Sequence, residues 1–191
     1  MRIVKDMISN NELENLYSYF ELPFAVKDIL EKNGQMSADE EYAMHEIICD
    51  MQPDSALIAI ALCARNLAQH IKSSRGDKLR SFSAFTIGEY APAWLSNANQ
   101  EKLSDESYRD LLREVPEDLS MMSSLLTACS SSFHDKNNNI AKICNILAIQ
   151  AASHSDIAIA YLDALDQSMD IKNNNKIDVS EEKSKEFVAH I

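Results

Sequence analysis

Apolar residues recur at three- and four-residue intervals along almost the whole of this 191-residue chain, and no stretch alternates convincingly as a strand would. About eight stretches carry the helical period, and only three glycines (Gly34, Gly76 and Gly88) and four prolines punctuate it. A chain patterned this way buries its apolar surface by packing helix on helix. The expected fold class is all-α, a compact multi-helix bundle of about eight helices.

The segment 56–64, Ala-Leu-Ile-Ala-Ile-Ala-Leu-Cys-Ala, is apolar on every face. Such a helix belongs inside a fold, ringed by others. The segments around 146 and 160 read in nearly the same way, the second as Ile157-Ala158-Ile159-Ala160-Tyr161-Leu162. Three inner helices imply a layered globule, because a single-layer solenoid would be two-faced throughout. No period of about 20–50 residues supports a repeat array.

Local signals place the helix boundaries. Ser37 with Glu40 forms a capping box, opening a helix to about residue 50 that should bury Tyr42, Ile47, Ile48 and Met51. Pro23, Pro53 and Pro116 each suit the first turn of a helix. Asn33-Gly34 suits the end of one. Residues 73–76 read as a loop before a helix capped by Asp77, and Pro92 with Trp94 reads as a turn. Separate helices are expected over 140–152 and 155–169. The organisation follows: a single helical domain over 1–170 and a polar C-terminal tail over 171–191.

Charge and composition narrow the function classes. The net charge is −12, and residues 1–60 carry 12 acids against 4 bases. That balance argues against binding nucleic acid through a basic surface, where phosphate contacts dominate affinity. It is compatible with a basic protein partner drawn in by electrostatic steering, and more simply with an acidic surface that serves solubility. The longest unbroken apolar run, 56–64, is about half of what a bilayer span needs. The first residues lack the apolar core of a signal peptide. The expectation is therefore a cytoplasmic protein without membrane contact. Four dispersed cysteines with no Cys-x-x-Cys pair fit core thiols in a reducing compartment.

Two local patterns point to metals. Residues 170–181 resemble the calcium-binding EF-hand loop: Asp170 at loop position 1, Asn174 at 5, Asp178 at 9 and Glu181 at 12, with Ile177 at the aliphatic place. The departures are Lys172 at position 3, where a cation repels calcium, and Asn175 in place of the glycine. No cofactor is expected otherwise; calcium is the one this loop would bring. Separately, Glu41, His45 and Cys49 share a helix face at four-residue spacing and are three zinc-ligand types, with His70 or His154 available to complete a set.

Other chemistry-bearing groups are sparse. Cys129 and Ser130-Ser131-Ser132 stand near His134 and Asp135, without the elbow or glycine-built oxyanion site that nucleophilic catalysis uses. Lys72, Arg75, Lys78 and Arg80 form one basic stretch, a place for a phosphate or an acidic partner. Tyr90, Trp94 and Leu95 form an aromatic corner that would anchor a partner if exposed. Arg65, His70, Asn145 and His154 are the few polar residues on the inner helices, where a hidden site would show itself.

The reading that follows is a non-enzymatic helical protein-binding module of adaptor, inhibitor (immunity-type) or chaperone kind, acting through an acidic surface. It competes with a helical enzyme or metal-binding protein whose site lies between buried helices. It also competes with calcium-responsive binding through residues 170–181.

Overall fold

The structure, a computed structural model, describes residues 9–98, 105–135 and 138–188, with the backbone alone described at 97–98, 105–109, 165 and 168–188. Among the described residues there are seven helices: α1 (Asn10–Tyr19), α2 (Leu22–Glu31), α3 (Ala38–Cys49), α4 (Pro53–Ala68), α5 (Ser74–Ala98), α6 (Asp105–Ser130) and α7 (Asn139–Val188). The chain is all-α, a bundle arranged around α4. Every residue of 56–64 is fully buried, and α2, α5, α6 and α7 all pack against that helix. Burying each of its leucines and isoleucines contributes about 1.5–3 kcal/mol, which makes α4 the hydrophobic centre.

Several boundaries fall where the residues place them. Ser37 and Glu40 close the capping box of α3, with the Ser37 N–H donating to Glu40 Oε2 at 2.7 Å. Pro23 and Pro53 sit in the first turns of α2 and α4. Gly34 turns the chain after α2 at φ 125°, a backbone region that favours glycine. A second capping box, Ser9 with Glu12, starts α1 and follows the same four-residue signature.

The helix count is seven because prolines and serines that read as boundaries lie inside helices. Pro92 is within α5 and Pro116 within α6. Packing on both sides pins the chain there: Tyr90 and Ala91 before Pro92, and Val115 and Leu119 around Pro116, are all buried. Tertiary burial outweighs one missing backbone hydrogen bond. The Pro116 carbonyl also accepts from the Ser155 hydroxyl at 2.7 Å. α5 begins at Ser74, so 74–76 is helix and not loop. It starts so close to its neighbour that a Cβ on Gly76 would lie 2.1 Å from the Ile71 carbonyl oxygen.

α6 and α7 form an antiparallel hairpin joined by serines. Ser123 and Ser130 donate to the carbonyls of Ala148 and Ala141, at 2.7 and 3.0 Å, and Ser155 returns the bond to α6. α7 passes through 153–155 without a break, and its backbone stays helical to Val188 across the stretch read as a tail. Merging two expected helices creates a stretch, Asn139–Ala164, whose most apolar 18-residue window has a mean hydropathy of 1.2. By length and composition it would suffice to cross a membrane, yet 44% of that window is buried within the bundle.

The stretch read as innermost in α7 is not inside. Of 157–162 only Ala158 is buried; Ile157, Ile159 and Tyr161 are about half exposed. Tyr42, expected in the core, is 64% exposed, and Met44 fills the core position of α3. The last helix reaches past the layer that would have covered 157–162 on all sides.

Asn139, the first residue of α7, holds the turn between α2 and α3. Its side-chain oxygen accepts from the Met36 N–H at 2.8 Å, and its nitrogen donates to the Gly34 and Ile29 carbonyls at 3.0 and 3.3 Å. Asn139→Ala should therefore lower stability by about 1–3 kcal/mol, read as a shift of the urea midpoint at unchanged slope.

Glu40 supplies the pH dependence. A hydrogen bond from the Lys32 ammonium, with the Ser37 N–H and hydroxyl adding to it, lowers its carboxyl from 4.5 to about 2. A depressed folded-state value stabilises the fold above the ordinary carboxylate range, and that contribution fades as pH falls from 4.5 toward about 2. The stability difference between the wild type and Glu40→Gln should thus be largest near neutrality and vanish at the acid end, measured by chemical denaturation across that range.

Candidate functional site

Most of the side-chain groups that sequence reasoning singled out lie among the described residues, and most of those are engaged in holding helices together. The aromatic corner turns inward. Tyr90 is 2% exposed, and its hydroxyl donates to Asp118 Oδ2 at 2.7 Å. Burial, and then the Asp118 carboxylate, hold the phenol proton well above its ordinary range. Trp94 is half-buried, and its Nε1–H donates to Ser55 Oγ at 3.0 Å. The Trp94 ring meets Tyr19 edge-on with centroids 5.3 Å apart, and Phe20 at 5.1 Å. Leu95 packs on the core. The corner packs against the bundle, the alternative to an exposed anchor: an indole of this size gains more from apolar neighbours and a satisfied N–H than from water.

The two arginines of the basic stretch are also spent on structure, whereas Lys72 and Lys78 are exposed. Arg75 Nη1 donates to the Ala128 carbonyl at 3.0 Å and to Ser132 Oγ at 2.8 Å, closing the C-terminal end of α6. Arg80 Nη2 donates to the Ala68 carbonyl at 3.1 Å and closes α4. Guanidinium groups at helix C-termini satisfy orphan carbonyls and complement the negative end of the dipole.

The nucleophile candidates have similar duties. Ser130 donates to Ala141, Ser131 to the Thr127 carbonyl and Ser132 to the Ala128 carbonyl. Cys129, Cys63 and Cys144 are buried, and burial pushes all three thiols up, which leaves them poor nucleophiles. His134 is exposed.

The zinc-type face is not assembled into a site. His45 Nδ1 meets Gln150 Nε2 at 2.8 Å, joining α3 to α7, whereas Cys49 is exposed with its thiol 3.3 Å from the Glu46 carbonyl oxygen. Among the described residues no three His, Cys, Asp or Glu side chains gather as a metal would require. His70 and Asn145 are exposed and Arg65 is half-buried. Of the inner polar residues only His154 is buried, its two ring nitrogens 2.9 Å from the Gln150 carbonyl oxygen and 3.3 Å from that of Met51. The calcium-type set, Asp170, Asn174, Asp178 and Glu181, lies on the C-terminal part of α7, where the backbone is helical and not looped. Its side chains lie outside the described residues.

What remains for a partner is surface. Tyr42 on α3, and Ile149, Ile157, Ile159 and Tyr161 on α7, are 47–64% exposed, as are Tyr19 and Phe24 near the start of α2. A cleft of about 230 Å³ opens where the start of α4 meets α6 and α7, walled by Pro53, Leu112, Val115, Tyr161 and Leu162. The N-terminal segment that carries Tyr19, Phe24 and Tyr42 is acidic: residues 9–54 carry 11 acids and 2 bases. Sequence reasoning missed this surface because the same apolar residues read as core. Compared with known protein families, with curated proteins and with solved structures, the chain gives no match.

If the Tyr90–Asp118 bond is structural, Tyr90→Phe should cost about 1.5–3 kcal/mol, the range for a bond to a buried charged group. Thermal unfolding of the two proteins at neutral pH checks it, with an unchanged midpoint counting against the assignment.

Proposed function

We propose that this chain is a cytoplasmic helical protein-binding module that takes a basic partner on an acidic, apolar-studded surface, as adaptors, inhibitors and chaperones do. The observation that carries the reading is the coincidence of two properties of the surface. Large apolar side chains stand about half exposed on α3 and α7, and the helices over 9–54 hold 11 acids against 2 bases. Uncovered aromatic and aliphatic groups supply contact area. The surrounding acids supply steering and select the sign of the partner.

Two further features fit this reading. The arginines, serines and buried thiols that would serve catalysis close helix ends, bridge helices or fill the core. The four cysteines are all unpaired, which suits a reducing cytoplasm.

The test is affinity capture with the full chain from its native lysate, once at low salt and once at about 1 M, where the Debye length is about 3 Å. A basic protein should be retained reproducibly at low salt, released at high salt, and lost when Glu14, Glu21, Glu46 and Asp50 are together changed to Lys. Retention indifferent to both changes would sink the reading.

A further inference from the structure

Residues 157–162 of α7 are apolar on nearly every side, yet the fold covers only one flank of them. On α7, Ile149, Ser153, Ile157 and Tyr161 recur every four residues, so they form one line that drifts slowly around the helix. The line adjoins Gln150 and His154, which bond to His45 and to the Met51 carbonyl respectively. It therefore follows the seam between α7 and α3 near Gln150 and continues beside the connection from α3 to α4 from His154 onward. Tyr42 lies one turn before His45, beside that seam, and is 64% exposed. At its far end the line reaches Tyr161, in the wall of the cleft at the start of α4.

From residue 149 to 161 the seam runs roughly 18 Å, three to four turns of a helix laid alongside. That is the length over which an amphipathic helix presents anchors at i, i+3 or i+4, and i+7. The charge at its edges has one sign. Glu46 and Asp50 of α3 and Asp156 of α7 are exposed, and among the described residues none of them makes an ion pair. Such edges repel an anionic lipid surface, and with a net charge of −12 a second copy of this chain is disfavoured as well.

We infer that the α3–α7 seam is the docking groove for an amphipathic helix of a protein partner, with Tyr42, Ile149, Ile157 and Tyr161 taking its apolar face and Glu46, Asp50 and Asp156 taking lysines or arginines on its flanks. The inference rests on the binding function proposed above and assigns it a surface.

The probe is a fluorescein-labelled Leu/Lys amphipathic helical peptide of about 18 residues, titrated with the full chain and followed by anisotropy. Binding should saturate at low salt. It should weaken at least about tenfold, equivalent to 1.4 kcal/mol, in the double variant Ile149→Ser/Ile157→Ser, and by a similar factor in Glu46→Lys/Asp50→Lys. Tyr19→Ser/Phe24→Ser, away from the seam, should bind as the wild type does, and circular dichroism should show all three variants folded. Equal binding by the seam variants, or equal binding of a Leu/Glu peptide, overturns the assignment. So does seam-dependent binding to phosphatidylglycerol vesicles, or a wild-type dimer that the isoleucine variant dissolves. If the lysate partner is still captured by the isoleucine variant, the seam is wrong while the binding function stands. If the peptide behaves as expected but no basic protein is ever retained, the function fails and the groove remains.

Discussion

The structure depends on hiding one helix. α4 has no face that tolerates water over 56–64, so the remaining helices must supply walls on every side. That requirement explains why α2, α5, α6 and α7 converge on it although they come from distant parts of the chain. It also explains why prolines inside α5 and α6 do not end those helices. Letting the chain leave at Pro92 or Pro116 would uncover the buried Tyr90 and Ala91, or Val115 and Leu119, whose burial offsets the roughly 3 kcal/mol that a proline costs inside a helix.

Around that centre, polar side chains do the joining. Arg80 closes the end of α4 and Arg75 the end of α6, both from the first turns of α5. Asn139 satisfies three backbone groups of the α2–α3 turn. Serines stitch α6 to α7 through backbone carbonyls. These bonds leave the interior with little uncommitted polarity, and the chemistry open to a partner moves to the outside.

The legible parts of the sequence were those decided locally. The Ser37–Glu40 box, the prolines at the starts of α2 and α4, Gly34 and the apolar run of α4 all depend on a few adjacent residues, and the fold class followed from them. The parts that were not legible depend on distant partners. Periodicity alone cannot say that Tyr42 and Ile157 have nothing across from them, or that Arg75 meets a carbonyl 53 residues away. Trp94 reads as an anchor until Ser55, Tyr19 and Phe20 are brought to it. The candidate surface was hidden by the same ambiguity: an apolar residue without a partner looks, in sequence, like one that has been buried.

The clamp made by Asn139 has a consequence for biosynthesis. Its partners lie 103 to 110 residues earlier, and the His45–Gln150 and Met51–His154 pairs span similar distances. A ribosome adding about 5–20 residues per second makes the first half of the bundle wait roughly 5–20 seconds for α7. Throughout that interval α4 lacks one of its walls. Until the last helix arrives, the apolar run 56–64 is therefore left partly uncovered.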